Sequence, residues 1–375
     1  MALKITRVEP ILIDRWLLVK VDTDEGITGY GESTLWAHLE AVEAAIRKLG
    51  SQLIGRDPLR IEHNAQLPFR RYHFTGGVLS SARAAIDIAL WDILGKHADM
   101  PIYQLLGGKF REKCRTFQNV GGRTPEEVAE RASAAVKEGF TVLRVFPFGP
   151  EGPTVVQSAD VAQAVEKVRA AREAVGDRID LGVEVHRRFT PLQAVAFARE
   201  AERLNLLFME DPIPPESVEA MLYVARHTRI PIAAGERCFD VHGFKELIDR
   251  GIAGLIRPDV TVAGGITEGR KIAAVAEASN VQLMPHLMSS PIGTAAFLHL
   301  DSAIPNYAFQ EYAHESQEIR RELVKPGLKD EPGYAYVPEG PGLGIELNEE
   351  AIAKYPYKRY ELQGLYYEDG SLAEF

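Results

Sequence analysis

Two rhythms of apolar and polar positions divide this chain of 375 residues. Near the start, ILIDRWLLVKVDTDEGITGYGEST reads as two or three antiparallel strands, with a turn at Asp24-Glu25-Gly26. Helical spacing follows. Ala82, Ala85, Ile86, Ala89, Leu90, Ile93 and Leu94 recur at helical intervals between Ser81 and His97, and Pro101 lies beyond the end. From Thr116 the pattern changes. Short strand-like runs at 116–120, 142–146, 180–185, 206–210, 231–234, 253–257, 281–285 and 307–311 alternate with amphipathic stretches such as Pro125–Glu138, Ala159–Val175, Thr190–Leu204 and Ile266–Ser279. Eight strands alternating with helices, at a spacing of roughly 25 residues, predict an α/β protein of the (β/α)8 barrel type. A doubly wound open sheet is the competing arrangement. It usually carries a glycine-rich phosphate loop, and neither GGR at 121–123 nor AGGIT at 263–267 matches such a fingerprint. The last stretch is turn-rich, with PGL at 326–328 and GPGLGIEL at 340–347. The expected organisation is an α+β capping domain over 1–115, the barrel over 116–325, and a C-terminal segment, 326–375, packing back on the capping domain.

Composition narrows the function classes. A net charge of −10 argues against nucleic acid or an anionic membrane surface as the main partner, but a local cation can still admit a small anion. The two cysteines, Cys114 and Cys238, are far apart, which excludes a disulfide scaffold and fits a reducing compartment. MALKITRVEP has no apolar core of a signal peptide, and no run reaches ~18 uncharged apolar residues. A soluble, cytoplasmic protein is expected.

The candidate chemistry lies where strands end. Glu184 in LGVEVHRR, Glu210 in LLFMEDPIP and Glu236 in PIAAGERCF close strands three, four and five, and strand C-termini form the active-site face of such barrels. Carboxylates converging within a few Å repel by several kcal/mol at an effective dielectric of about 20. A bound cation relieves that cost, and hard oxygen donors suit magnesium or manganese. Taken singly, each Glu reads equally well as an acid favoured by the following helix dipole; three in a row favour the metal. Asp211, adjacent to Glu210, points elsewhere on an extended chain and reads as structural or as a partner of the ligands. His186 lies two residues after Glu184, so an extended segment faces both the same way, and a neutral imidazole there can accept a proton. Asp259 in LIRPDVTVAGG and His286 in QLMPHLMSSP close strands six and seven, where a buried Asp can fix the imidazole tautomer. Glu311 in AFQEY ends strand eight and can hydrogen-bond a substrate oxygen. Arg15-Trp16 is a candidate lid contact or a plain surface-strand pair. His227, His242 and His299 fall in helical stretches and carry no such signal.

With these positions assembled, the chain resembles the enolase superfamily, in its mandelate racemase subgroup and nearest its sugar-acid dehydratase branch. The resemblance rests on LGVEVHRR (181–188), IAAGER (232–237), RPDVTVAGGITEGRKIA (257–273), MPHLMSSPIG (284–293), GGVLSSARAAIDIALWDILGK (76–96) and PIYQLLGG (101–108). It implies one Mg²⁺ on Glu184, Glu210 and Glu236, with Mn²⁺ able to substitute. It also implies His186 as base, His286 with Asp259 as the opposing dyad, and Glu311 as a hydrogen-bonding group on the substrate carboxylate side. The implied reaction dehydrates a sugar acid, an aldonate such as D-galactonate, to a 2-keto-3-deoxy acid. C2 epimerisation on the same site and a non-catalytic homologue are the alternatives. A homo-oligomer, dimer or octamer, is the implied assembly. Three departures stand out. Glu184 replaces the usual Asp. Arg144 and Phe146 of LRVFPF occupy the places of the racemases' Lys-x-Lys pair; an Arg stays protonated and is a poor base, which argues against lysine-based racemisation and cycloisomerisation on that face, and Arg144 is a candidate substrate contact. The strand-seven loop reads HLMSSPIG.

Overall fold

The computed structural model describes residues 3–148, 156–313, 317–359, 365–367 and 369–373. Strands Ile5–Ile13, Trp16–Thr23 and Thr28–Ser33 form an antiparallel meander. Its middle strand buries Trp16, Leu17, Leu18 and Val19 in succession, so alternation is lost where both faces are covered. Helix Gly77–Ala98 is buried almost all round, because it packs on this sheet and also on the barrel. On the barrel side Asp87 accepts from the backbone N–H of Thr267 at 3.0 Å, and the Trp91 indole donates to the Thr267 hydroxyl at 2.9 Å. On the cap side Asp92 accepts from the backbone N–H groups of Tyr30 and, in the late turn-rich sequence, Leu343. The backbone N–H of Asp14 donates to the carbonyl of Tyr355.

The barrel strands run in parallel and in chain order: Gln118–Gly121, Val142–Phe146, Asp180–Glu184, Phe208–Glu210, Ile232–Ala234, Leu255–Ile256 and Gln282–Leu283. The eighth member is irregular. It pairs through single parallel bridges, Leu283 with Tyr307 and Thr116 with Gln310, and these close the sheet on itself. The helices Pro125–Glu138, Ser158–Val175, Pro191–Ala201 and Gly265–Ala278 fall where periodicity places them. The first and third have Pro at their first helical positions and a Thr cap, Thr124 and Thr190. No helix among the described residues is long and apolar enough to cross a membrane.

Candidate active site

Inside the barrel the strand period of two separates a floor from a mouth. Phe117, Val142, Phe208, Ala233, Leu255, Met284 and Phe309 form their own buried cluster. Phe309 stacks on Phe208 and meets Phe117 edge-on, at centroid distances of 5.9 and 6.2 Å. Two residues on from these come Asn119, Arg144, Glu210, Arg257, His286 and Glu311, one pleat higher on the same face. Strand three keeps the same spacing with Gly182 and Glu184. Gly182 leaves the room that the Phe208 ring fills: a Cβ there would lie 2.1 Å from the ring.

The mouth is a network of carboxylates bridged by guanidinium groups. Arg144 is buried and reaches Glu184 at 3.1 Å, Glu210 at 2.6 Å and Glu311 at 2.7 Å. Arg257, fully buried, reaches Glu210 at 2.9 Å and Glu311 at 3.3 Å. Arg187 holds Glu236 at 2.7 Å and lies 3.6 Å from Asp211. Burial and then the neighbouring Glu210 push the Glu184 carboxyl well above its ordinary range. Burial also acts on Glu236 and Glu311, but the cations around them win and hold both down to about 2: His286, Arg187 and Arg257 for the former, Arg144, Arg257 and His286 for the latter. Asp211, buried beside Glu236 and Glu210, is raised to about 7.

The two histidines stand in opposite electrostatic settings. His286 Nδ1 lies 2.8 Å from Asp259 Oδ2, and its Nε2 lies 3.8 Å from Glu236. Asp259 is fixed in turn by the backbone N–H and hydroxyl of Thr261, and by the hydroxyl of Thr34 from the capping module. Burial disfavours protonation of His286, but Glu236, Asp259 and Glu311 outweigh it and raise the imidazole to about 9. His186 is lowered to about 4, by burial first and then by Arg187. An Arg187 nitrogen approaches His186 Nε2 at 2.9 Å, and the Phe146 ring meets the imidazole edge-on at 5.7 Å.

A cavity of about 290 Å³ opens beside this network, lined by Thr34, Leu35, Trp36 and His38 of the cap and by Glu236, Asp259 and His286 of the barrel. The N-terminal half of the matching pattern is read over residues 8–107 by the family description "Mandelate racemase / muconate lactonizing enzyme, N-terminal domain", and residues 127–351 match "Enolase C-terminal domain-like". The chain belongs to the mandelate racemase/muconate lactonizing enzyme family of the enolase superfamily. The D-galactonate dehydratase of Ralstonia pickettii is 38% identical, with 100% of both chains covered. A member of the enolase superfamily from Salmonella Typhimurium superposes with a TM-score of 0.89 at 33% identity, covering 94% of this chain and 98% of the other. An enolase from Pantoea ananatis, solved with bound D-gluconate and Mg, gives 0.88 at 33% identity, covering 94% and 95%.

Within this enolase-superfamily barrel, Glu184, Glu210, Asp259, His286 and Glu311 converge at the strand ends, and Arg144 joins them. Glu236 meets the same network from two residues past its strand, after Gly235 turns the chain at φ 123°, where a non-glycine residue is strained. Other expectations are corrected. His186 does not face Glu184 across an extended segment. The backbone turns left-handed at His186 and Arg187, with φ of 54° and 65°, and the His186 N–H donates to Glu184 Oε1 at 2.6 Å. The Trp16 ring is buried in the cap core, and Arg15 lies exposed with its guanidinium on Gln317. Neither is among the described residues lining the cavity, where Thr34–Trp36 and His38 stand instead. Arg187 and Arg257 are site residues that sequence reasoning passed over. The signal for Arg257 was present, since it precedes Asp259 by two positions on the same strand end.

The donor chemistry suits a hard divalent cation: oxygen ligands only, and a second oxygen of Glu210 that is buried without a hydrogen-bond partner. Among the described residues no group of three or more His, Cys, Asp and Glu side chains is placed to hold a metal ion; Arg144 bridges Glu184 and Glu210, and Arg187 is paired with Glu236.

Proposed function

We propose that this protein is a magnesium-dependent hydro-lyase that converts an aldonate such as D-galactonate to its 2-keto-3-deoxy acid. Similarity to D-galactonate dehydratases over the whole chain and to a structure holding D-gluconate and Mg supports the reaction class. The observation that carries it to the residues is the pair of histidines beside one carboxylate network, His186 next to Glu184 and Arg187 with its pKa lowered, and His286 on Asp259 and near Glu236 with its pKa raised. Dehydration of a hydroxy acid needs both states at once: a base for the C2 proton and an acid for the departing C3 hydroxyl.

Glu184, Glu210 and Glu236 are the residues that would hold the ion. When bound, magnesium supplies positive charge to the substrate carboxylate as the C2 proton leaves. His186 takes that proton, an act that requires its Nε2 to part from Arg187. His286, oriented by Asp259 through Nδ1, gives the proton of Nε2 to the C3 hydroxyl, which leaves as water. The resulting enol tautomerises to the ketone. Glu311, pinned by Arg144 and Arg257, offers a fixed acceptor to a substrate hydroxyl. The cap segment Thr34–His38 covers the opening and contributes to sugar choice. A cytoplasmic homo-oligomer, dimer or octamer, goes with this reading and is checked by light scattering after gel filtration.

The test incubates aldonic and aldaric acids with the protein and magnesium and measures 2-keto acid as its semicarbazone. Product formation that disappears after chelation and returns with magnesium is expected. Epimer without keto acid would redirect the assignment to C2 epimerisation, and full turnover without any divalent cation would remove the metal from it.

A further inference from the structure

Two guanidinium groups crowd onto one oxygen atom in this site. Oε1 of Glu210 accepts from Arg144 at 2.6 Å and lies 2.9 Å from Arg257, and the same Arg144 nitrogen extends to Glu184 Oε2 at 3.1 Å. That nitrogen therefore sits between two of the carboxylates assigned above to the metal. We propose that Arg144 is an internal counter-cation that competes with the divalent ion for Glu184 and Glu210, so that loading the site requires its guanidinium to withdraw from them. The inference rests on the magnesium reading and deepens it.

The competition follows from size and charge. A magnesium ion takes its oxygen ligands at about 2.0–2.1 Å and tolerates little distortion. Its ligand oxygens would come from the two carboxylates that one guanidinium nitrogen already bridges, so two positive centres would repel at close range across Glu184 and Glu210. Arg144 can yield more readily than Arg257. Its Nε donates to Asn119 Oδ1 at 2.8 Å and its second terminal nitrogen to Glu311 at 2.7 Å, so two of its three nitrogens keep partners after the third withdraws. Its face also rests on the Phe117 ring at 4.7 Å, which keeps the side chain near the mouth. Arg257 is fully buried against Glu210 and Glu311, whereas Arg144 keeps a little exposure.

The test measures Mn²⁺ affinity by electron paramagnetic resonance and calorimetry on the full-length chain, with thermal denaturation in parallel. Arg144→Met is expected to bind Mn²⁺ about tenfold or more tightly than wild type, and Arg144→Lys, which keeps a charge on a shorter reach, less so. In Arg144→Ala, added guanidinium ion should weaken Mn²⁺ binding, with no matching effect on wild type. Equal or weaker affinity in Arg144→Met, or indifference of Arg144→Ala to guanidinium, overturns the proposal. Should the variants fail to fold, a wild-type crystal grown with Mn²⁺ decides. A guanidinium withdrawn from Glu210 supports competition, and one still bridging Glu184 and Glu210 beside a bound ion refutes it. The underlying reading fails separately: wild type that binds Mn²⁺ but makes no 2-keto acid sinks the dehydratase and leaves the competition standing.

Discussion

The floor and the mouth of the barrel are built from the same strands, two residues apart, and they obey different physics. The floor is a close-packed aromatic and aliphatic layer in which Gly182 exists to admit Phe208. The mouth is a layer of buried ions in which each carboxylate has a guanidinium or imidazole against it. A buried ion pair is weak evidence for stability, because desolvation offsets much of the attraction. The floor therefore holds the barrel closed, and the mouth is retained for what its charges do. The same strand end serves both because alternate residues of a barrel strand face inward at different heights.

The largest expected effect lies in the mouth and leaves the floor untouched. His186→Asn should abolish both dehydration and exchange of the C2 hydrogen with solvent. His286→Asn should lose dehydration by a comparable factor, at least roughly 10²–10⁴-fold, while slow C2 exchange survives on His186. Deuterium exchange by NMR alongside keto-acid formation reads both, and exchange that persists only in the His186 variant reverses the two roles. The floor gives the complementary result. Phe208→Ala should cost about 3–5 kcal/mol of stability in denaturant titration, with the catalytic groups of the remaining folded fraction intact. Near-wild-type stability there would dissolve the distinction between the layers.

A smaller effect tests how the cap is joined to the mouth. Glu32 is buried and accepts from the Ser290 and Gly293 backbone N–H groups and from the Ser290 hydroxyl, fastening the cap sheet to the strand-seven loop. Burial, only partly offset by these donors and Arg320, raises its carboxyl from 4.5 to about 7. A raised folded value means that the stability it contributes is full below about pH 4.5 and is lost as pH climbs through 7. Wild type should therefore lose up to ~3 kcal/mol relative to Glu32→Gln between pH 5 and 8; parallel pH profiles of denaturation measure it, and parallel lines would refute it. The smallest effect is that of Thr34→Val, which removes the cap hydroxyl from Asp259 and Thr261. It should lower kcat several-fold, about 1 kcal/mol, with stability nearly unchanged.

Much of this was legible along the chain. The helices at Pro125–Glu138 and Gly265–Ala278 and the strand ends carrying Glu184, Glu210, Asp259, His286 and Glu311 follow from periodicity and local capping, which are properties of near neighbours. The eighth strand was legible as a run but forms only single bridges, since its pairing depends on how the sheet closes. The Arg15-Trp16 lid reading failed because burial of Trp16 is decided by helices packed from elsewhere in the cap.

The sequence by itself determined which strands end in charge, because a period of two places a residue's face without reference to anything distant. Which charge meets which only the tertiary structure decided. Arg144, Arg187 and Arg257 come from three different strand ends, and each has several carboxylates within the span of its side chain. Coulombic interaction depends on separation and on the removal of water, and both are set when the barrel closes and the cap settles over it. His186 shows the same division: its identity was plain beside Glu184, yet a left-handed turn fixed its direction, and burial first, then its chain neighbour Arg187, lowers its pKa.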